Sequence, residues 1–469
     1  MTHQILRRLK NRWKSPGGYR EALKIGMPLV ISMTSATIMV FTDRVFLGQY
    51  SVDAIAAAFP ASITYFLFQS LFLGTVEYVS VFIAQYTGAG RHERVGAALW
   101  QGLYFCLPAA AIMATLGVWS GELFGLIGHD SAIRDMEIAY FKTASLGSGF
   151  GLIAMALSCF YSGRGITKPV MIVNTLAAAV NIPLDYMMIN GYWIFPEMGI
   201  KGAALATVIS YSVNSALFAL LVFTTNHNKR YNVFSGWRFD ASLFSRFMKF
   251  GLPGGIQFFL DMFAISFFGI IVGKFTRYEV AASNMAVSID TLAFLPAIGM
   301  SIAVSVMVGQ SMGSGNPRRA EYSLKSVLHL VLLYMGCMGG IFIFLPEPLI
   351  ELFRAHNMND AQFAPIMHLA SVLLRYVAVF TLMDAVAIVY MGGLKAAGDT
   401  PFIMWTMGGS ALLVMIIPLS LLYNYTHMGI HGPWICLLSY VMVLGALFWW
   451  RFRKGVWKSM RVIDISGNA

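Results

Sequence analysis

Several carboxylate side chains lie inside long apolar stretches of this sequence. Two of them, Glu77 and Asp290, lie at a less well defined depth than the others. A charged side chain at the centre of a bilayer costs roughly 3 kcal/mol even on permissive scales, so it is seldom kept without a function. Lysine and arginine are scarce nearby, and an unneutralised acid predicts proton uptake or cation binding. The acids placed well inside the stretches are Asp43, Asp185, Asp261 and Asp384.

The spacing of Asn181 and Asp185 predicts a small cluster of oxygen ligands. Residues four apart lie on one face of a helix, so a carboxylate and an amide oxygen project together. Pro183 lies between them and frees a backbone carbonyl, and Asp43 is a candidate to complete the set. These oxygens suit Na⁺ or a shared proton. The alternative is a polar pair that joins helices.

A second acidic group is predicted in the other half of the chain. Asp261 lies eight residues after Pro253, and Asp384 lies in a later apolar stretch. The two carboxylates form a cation site if their helices meet. The alternative is that each acid caps or pairs locally.

The elements that must hold these acids are transmembrane helices. Hydrophobic residues make up 57% of the 469 residues and charged residues 12%, whereas soluble domains carry about 25% charged residues. The mean hydropathy is +0.67. The apolar runs are continuous rather than alternating and reach the length of about 20 residues that a spanning helix needs. They predict twelve helices, at roughly 20–47, 54–87, 96–120, 132–161, 169–190, 199–225, 244–273, 280–312, 321–345, 361–393, 401–425 and 431–451.

Charge predicts the orientation of these helices. The chain has 33 basic and 22 acidic residues, for a net charge of +11. Most basic residues fall in the N-terminal segment, the C-terminal tail and the even-numbered connections. The positive-inside rule then places both termini in the cytoplasm. We expect a multi-pass protein of the plasma membrane (the inner membrane of a bacterium) that contacts lipid and binds no nucleic acid. The polar, basic start lacks the apolar core of a cleavable signal peptide.

The chain is an internal duplication. Gly26 and Gly74 correspond to Gly251 and Gly299 at a constant offset of 225 positions. Two homologous halves in an apolar chain are typical of membrane transporters. We predict an N-lobe at 1–225, a cytoplasmic inter-lobe loop at 226–243 that serves as a hinge or tether, and a C-lobe at 244–469 that includes the basic tail. Further pairs with the same offset join Pro28, Gly48, Ser80, Gln85, Gly88 and Arg94 to Pro253, Gly273, Ser305, Gln310, Gly313 and Arg319.

Four prolines lie inside the apolar spans at matching places in the two halves. Each removes a backbone hydrogen bond and can bend its helix. Paired bends would let one end of a lobe open while the other closes, although a proline kink can also serve only to shape a bundle. The four positions are Pro28, Pro183, Pro253 and Pro418.

Motifs of enzymes and ATP-driven pumps are absent from the sequence. It contains no P-loop, no HExxH and no GxSxG. We expect neither catalytic residues nor a cofactor. All four cysteines lie in apolar segments and fit small core residues better than disulfides or metal ligands.

The chain resembles the multidrug and toxic compound extrusion (MATE) family over nearly its whole length. Residues 26–48 are similar to the opening helix of the family with its membrane acid. Residues 181–186 and 199–207 resemble the fifth and sixth helices, 251–261 the seventh, and 383–401 the tenth helix and its exit. The resemblance implies an all-α membrane protein with twelve helices in two pseudo-symmetric six-helix lobes.

The resemblance also implies a function and its residues. The expected activity is secondary active efflux, in which cationic or amphipathic drugs are exchanged for Na⁺ or H⁺ by alternating access in a monomer. Thr207 joins Asp43, Asn181 and Asp185 in the N-lobe site. Asp261 and Asp384 correspond to the C-lobe acids, although the seventh-helix acid is Asp where the NorM-type branch usually has Glu. The alternative is a lipid-linked oligosaccharide flippase of the same superfamily, which would handle a pyrophosphate and need a basic cavity.

Overall fold

The computed structural model describes residues 10–125, 130–354, 358–425 and 428–464, which are helical and contain no strand. The helices of the first half are α1 (Tyr19–Tyr50), α2 (Val52–Glu77), α3 (Val79–Gly88), α4 (Arg94–Val118), α5 (Ser120–Gly125), α6 (Ser131–Leu146), α7 (Ser148–Ser162), α8 (Lys168–Asn190) and α9 (Ile200–Val222). Those that follow are α10 (Thr225–Tyr231), α11 (Ala241–Val272), α12 (Arg277–Gly313), α13 (Pro317–Phe344), α14 (Pro346–Glu351), α15 (Asp360–Ala397), α16 (Thr400–Ser410), α17 (Ile417–Tyr425) and α18 (His431–Lys454).

The helix ends carry local stop and start signals. The Ser51 side chain accepts hydrogen bonds from the backbone N–H groups of Asp53 and Ala54 and so caps α2. Asn359 and Gln362 form a capping box at the start of α15. Gly398, with φ 104°, ends the same helix in the left-handed conformation that favours glycine.

The twelve predicted spans are confirmed. In the described chain, eleven helical segments are long and apolar enough to cross a membrane, and α6 and α7 together make a twelfth that is bent by 42°. The bend falls at Gly147, where a side chain would collide with Val208 of α9. The observed segments begin and end within a few residues of the predicted ones. The protein is therefore an all-α, multi-pass membrane protein.

The chain folds into two compact units. Unit 1 is made of the described parts of Met1–Val30, Leu260–Met312 and Asn316–Arg461. Unit 2 is made of Ile31–Phe259, Gly313–Gly315 and the described part of Val462–Ala469. The predicted lobes at 1–225 and 244–469 describe the sequence repeat, whereas these units exchange segments between the halves.

The exchange involves the leading half of the first helix in each repeat. The first half of α1, up to Val30, belongs to unit 1, and the first half of α11, up to Phe259, belongs to unit 2. Both helices pass from one unit to the other a few residues after a proline, Pro28 in α1 and Pro253 in α11. Pro183 likewise lies within a continuous helix, and Pro418 follows a π-helical turn at Ala411–Ile416. Bending at these prolines stays a prediction.

Repeated glycines allow each exchanged half-helix to pack closely. In unit 2, a Cβ at Gly74 would lie 3.0 Å from the carbonyl oxygen of Gly254, and one at Gly255 would collide with the Leu71 carbonyl oxygen. In unit 1, a Cβ at Gly299 would lie 2.9 Å from the backbone nitrogen of Val30. Small residues of this kind let helix backbones approach in membranes. Gly74 and Gly299, which correspond in the sequence repeat, are therefore matching packing positions.

The segment predicted as the inter-lobe loop 226–243 is partly helical and packed against unit 2. It contains most of α10 and a 3₁₀ turn at Ser235–Trp237. Trp100 of α4 donates a hydrogen bond of 2.8 Å to the Val233 carbonyl. The buried guanidinium of Arg164 lies 3.8 Å from the Phe160 ring centroid and 4.5 Å from that of Tyr231. Burial lowers the pKa of Arg164 from its ordinary value, and the rings offset part of that cost through cation–π attraction.

The end of the described chain is also held in unit 2. The buried side chain of Gln85 accepts hydrogen bonds from the backbone N–H groups of Val462, at 3.0 Å, and Ile463, at 3.4 Å. Both side chains are almost fully buried. Asp464 forms an ion pair of 2.9 Å with Arg246. We call residues 462–464 the terminal strap.

Candidate functional site

Unit 2 brings the predicted acids Asp43 and Asp185 together. Asp185 and Asn181 have no exposed surface, and Asp43 is half-buried on α1. Asp43 and Asp185 lie close enough for their charges to interact. Each is followed four residues later by a core residue, Leu47 or Ile189, both fully buried in one hydrophobic cluster. The site therefore stands on rigid helices at the edge of a packed core.

The oxygen atoms of this site have open bonding capacity. Within the described residues, both carboxylate oxygens of Asp185, Oδ1 of Asp43 and both polar side-chain atoms of Asn181 are buried without a hydrogen-bond partner. A buried polar atom without a partner costs about 1–3 kcal/mol, and more if it is charged. Two neighbouring buried carboxylates therefore need a proton or a cation for compensation.

The basic residue beside the site lies within electrostatic reach of Asp43 but forms no ion pair with it among the described residues. Arg44 follows Asp43 in the chain, yet its guanidinium lies over the Phe59 ring, 5.2 Å from the centroid. Neither Asp43 nor Asp185 forms an ion pair in the part of the chain that the structure describes. The oxygens are of the kind that a hard cation such as Na⁺ prefers. The assignment of Na⁺ to Asp43, Asn181 and Asp185 stays a prediction.

The sequence reasoning missed a tyrosine near this site, Tyr140, and two further tyrosines beside it. Tyr140 of α6 lies within electrostatic reach of both Asp43 and Asp185, and also of Tyr65 and Tyr211. A phenol can donate and accept a hydrogen bond, so the Tyr140 hydroxyl can stabilise a carboxylate or relay a proton. Tyr65, Tyr140 and Tyr211 belong to three different helices, and no spacing in the sequence indicates that they meet.

Thr207, the fourth predicted member, lies half-buried on α9. No hydrogen bond among the described residues joins it to Asp43, Asn181 or Asp185. Its predicted part in the cation site remains untested.

Unit 1 holds a second acidic group that is larger than predicted. Asp384 of α15 lies within electrostatic reach of both Asp261 of α11 and Asp290 of α12. The Tyr440 hydroxyl of α18 donates a hydrogen bond of 3.4 Å to Oδ1 of Asp261. Asp290 was a candidate of uncertain depth, and the fold now places it with the other two. The remaining candidate, Glu77, is half-buried at the end of α2.

The acids of unit 1 are not neutralised by basic side chains. Among the described residues, none of Asp261, Asp290 and Asp384 forms an ion pair. By contrast, Asp399, near the end of α15, has Arg451 at 2.7 Å. Three half-buried carboxylates from three helices can together attract a cation, whether inorganic or organic.

Comparisons with known proteins agree with this architecture. The MatE family model matches residues 28–187 and 253–420. These two segments begin at the prolines of the repeat, Pro28 and Pro253, and together they cover more than half of the chain.

Relatives of known name match along most of the chain. A probable multidrug resistance protein NorM of Thermotoga maritima is 25% identical over 477 residues, covering 99% of this chain and 98% of the relative. The multidrug resistance protein PmpM of Pseudomonas aeruginosa is 26% identical over 386 residues, covering 81% of this chain and 79% of the relative.

Solved structures share the fold. A MOP superfamily transporter from Pyrococcus furiosus superposes with a TM-score of 0.84 at 19% identity, covering 96% of this chain and 98% of that one. A multidrug resistance MATE family transporter in an outward-facing conformation gives the same TM-score and coverage. Together with the family match, the duplicated helices and the membrane acids, this shows that the chain belongs to the MATE family of membrane transporters.

Proposed function

We propose that this protein is a secondary active multidrug efflux antiporter, which exchanges organic cations or amphipathic drugs for Na⁺ or H⁺ by alternating access. The observation that carries the proposal is the set of buried, unpartnered oxygens of Asp43, Asn181 and Asp185. A site built of uncompensated acceptors gains most from binding a proton or a small cation. The named relatives NorM and PmpM, described as multidrug resistance proteins, support the drug as the exchanged partner.

The energy of the coupling ion is sufficient for such exchange. Moving one positive charge inward yields about 2.3 kcal/mol per 100 mV of membrane potential. The ion arrives from outside, binds the acids and leaves to the cytoplasm, while the drug moves outward. We place both termini in the cytoplasm, on the distribution of basic residues, and treat the transporter as a monomer in the plasma membrane.

The alternative of a lipid-linked oligosaccharide flippase fits the structure less well. A pyrophosphate substrate would need a basic site inside the membrane. The groups found in the described spans are acidic instead, with Asp43 and Asp185 in unit 2 and a three-aspartate group in unit 1.

The proposal is tested in inverted membrane vesicles with a fluorescent organic cation. A Na⁺ gradient and a pH gradient are imposed separately, and the gradient that drives uptake identifies the coupling ion. Asp43→Asn and Asp185→Asn are expected to abolish gradient-driven uptake in folded protein, because each removes a carboxylate that holds the ion.

The control is Asp53→Asn, which changes an exposed carboxylate in the first turn of α2 and is expected to leave uptake unchanged. Wild-type uptake driven by neither gradient would rule out the antiporter. Normal uptake in both site variants would show that the coupling site lies elsewhere.

A further inference from the structure

A hydrogen-bonded set of neutral polar side chains crosses three helices of unit 2. The Asn174 amide of α8 donates to the Ser32 hydroxyl of α1 at 2.7 Å. The Asn214 amide of α9 donates to Oδ1 of Asn174 at 3.0 Å. Nearby on α9, the Ser210 hydroxyl donates to the Ala177 carbonyl at 2.6 Å. We call Ser32, Asn174, Ser210 and Asn214 the polar track.

The polar track lies on the same helix faces as the acid site. Ser32 precedes Asp43 by eleven residues, and Asn174 precedes Asp185 by eleven. Side chains seven or eleven positions apart share one face of an α-helix. At about 1.5 Å per residue, eleven residues cover roughly 16 Å. The track is therefore displaced along these helices from the acids.

Side-chain polar atoms without a hydrogen-bond partner occur both in the polar track and between the track and the acids. Oδ1 of Asn214 is buried without a hydrogen-bond partner among the described residues, as are both polar side-chain atoms of Asn181. Asn181 lies seven residues after Asn174 and four before Asp185, so it stands between the two groups. A purely structural polar link between helices would satisfy its own acceptors. Open acceptor oxygens on one face suit a passing proton, water or small cation.

The second half of the chain shows that the repeated helices do not need these amides. Aligned on Pro183 and Pro418, the position of Asn181 corresponds to Ile416. Aligned on Gly199 and Gly429, the position of Asn214 corresponds to Leu444. The duplicated helices therefore form with apolar residues at the positions of Asn181 and Asn214. Helix formation alone does not explain why the first half has amides there.

We propose that Ser32, Asn174, Ser210 and Asn214 line the route by which the coupling ion leaves Asp43 and Asp185 for the cytoplasm. The inference rests on the proposed antiport function. With both termini in the cytoplasm, the track lies on the cytoplasmic side of the acids in α1, α8 and α9. Its hydroxyl and amide oxygens replace part of the water around a monovalent cation, or hold the waters that carry a proton. Because the track bears no charge, it passes the ion without trapping it.

The test is Asn214→Leu, which places in the first half the residue found at the corresponding position of the second. Purified protein in proteoliposomes is energised with a Na⁺ or a pH gradient, whichever drives the wild type. Drug transport is expected to slow by at least about tenfold. The ion concentration that half-saturates displacement of bound drug is expected to stay within about twofold of the wild-type value, because the acids are intact.

Three further variants keep the result interpretable. Ser212→Ala changes a hydroxyl on α9 that bonds only its own helix and is expected to transport normally. Asn214→Gln retains the amide and is expected to recover much of the rate. Ser32→Ala tests the track from α1 if Asn214→Leu does not fold, and a slowed rate with unchanged ion affinity is expected again.

The outcomes separate this inference from the proposed function. If Asp43→Asn abolishes coupled transport while Asn214→Leu and Ser32→Ala transport at the wild-type rate, the route is wrong and the antiporter stands. If Asp43→Asn and Asp185→Asn also transport normally, both the release route and the N-lobe coupling site are wrong. A loss of ion affinity in Asn214→Leu equal to the loss of rate would make Asn214 part of the binding site and overturn the release route.

Discussion

Asp185 illustrates how far single residues could be understood before the fold was known. Its four-residue spacing from Asn181 predicts that the two share a helix face, and the structure shows both fully buried. Its proximity to Asp43 depends on how α1 and α8 pack, which no local pattern encodes. Within the described residues, Asp43 and Asp185 form no ion pair with a base, and such a pair would have removed the reason to propose ion binding.

At the same scale, we predict that Asp384→Asn weakens binding of a permanently charged organic cation. Asp384 interacts with both Asp261 and Asp290, so its replacement removes one of the three carboxyl groups that a bound cation can hold in the ionised form. The attraction between two unit charges about 6 Å apart in an effective dielectric of about 20 is roughly 3 kcal/mol. We therefore expect the affinity to fall by tenfold or more, measured by binding to purified protein.

A neutral amphipathic analogue of the same size is expected to bind Asp384→Asn and wild type alike. Glu347→Gln, which alters an exposed carboxylate at the start of α14, serves as the control. Equal losses of affinity for the charged and the neutral compound would indicate that the substitution changed the shape of the binding site rather than its charge. That result would contradict the prediction.

At the scale of the elements, the twelve spans could be predicted because a bilayer demands long apolar helices with internal backbone hydrogen bonds. The break at Gly147 was missed, since one glycine among apolar residues signals a close approach only when its neighbour, Val208 of α9, is known. The loop 226–243 was predicted as a hinge or tether because it is the longest connection and joins the two halves. Its packing against Trp100 and Arg164 depends on contacts distant in sequence.

The close approach of α11 to α2 gives a matched pair of substitutions. Gly255→Ala places a methyl group against the Leu71 carbonyl, whereas Gly269→Ala, on the same helix, meets no atom within 4 Å. We expect Gly255→Ala to lower the free energy of unfolding by about 1–3 kcal/mol through overpacking. Gly269→Ala should raise it by up to about 1 kcal/mol through helix propensity.

The measurement for this pair is the midpoint of thermal unfolding in one detergent. Both variants add the same methyl group to α11, so the intrinsic helix preference cancels between them. Equal midpoints for Gly255→Ala and Gly269→Ala would mean that α2 and α11 are not in close backbone contact.

At the scale of the whole molecule, the sequence repeat predicted two halves but not the composition of the units. The constant offset of 225 identifies equivalent residues without saying which of them touch. Gly74 packs with Gly254 in unit 2 and Gly299 with Val30 in unit 1, so the repeat is present in the packing of each unit. The terminal strap could not be predicted either, because Val462 and Ile463 follow a basic tail and their backbone bonds are made to Gln85, which is distant in sequence.

We predict that ending the chain after Arg461 destabilises the protein. The truncation removes two buried apolar side chains, each worth about 1.5–3 kcal/mol, and leaves the Gln85 amide oxygen without the two backbone donors of the strap. Asp464→Ala removes the ion pair with Arg246 and keeps both buried side chains, and exposed pairs are worth about 1 kcal/mol or less.

Thermal unfolding of the detergent-solubilised protein checks this prediction. We expect a clearly lower midpoint for the truncated chain and a nearly unchanged one for Asp464→Ala. A truncated protein as stable as the full chain would show that the strap does not contribute to unit 2.

The exchanged half-helices also constrain the order in which the molecule can be completed during synthesis. The segment from Tyr19 to Val30 leaves the ribosome about 270 residues before its packing partner around Gly299 is translated. Until then this segment lacks that later partner of its unit, and unit 2 in turn waits for residues 241–259. Neither half of the chain therefore contains all the residues of one unit. Each of the two duplicated halves depends on the other to complete its packing.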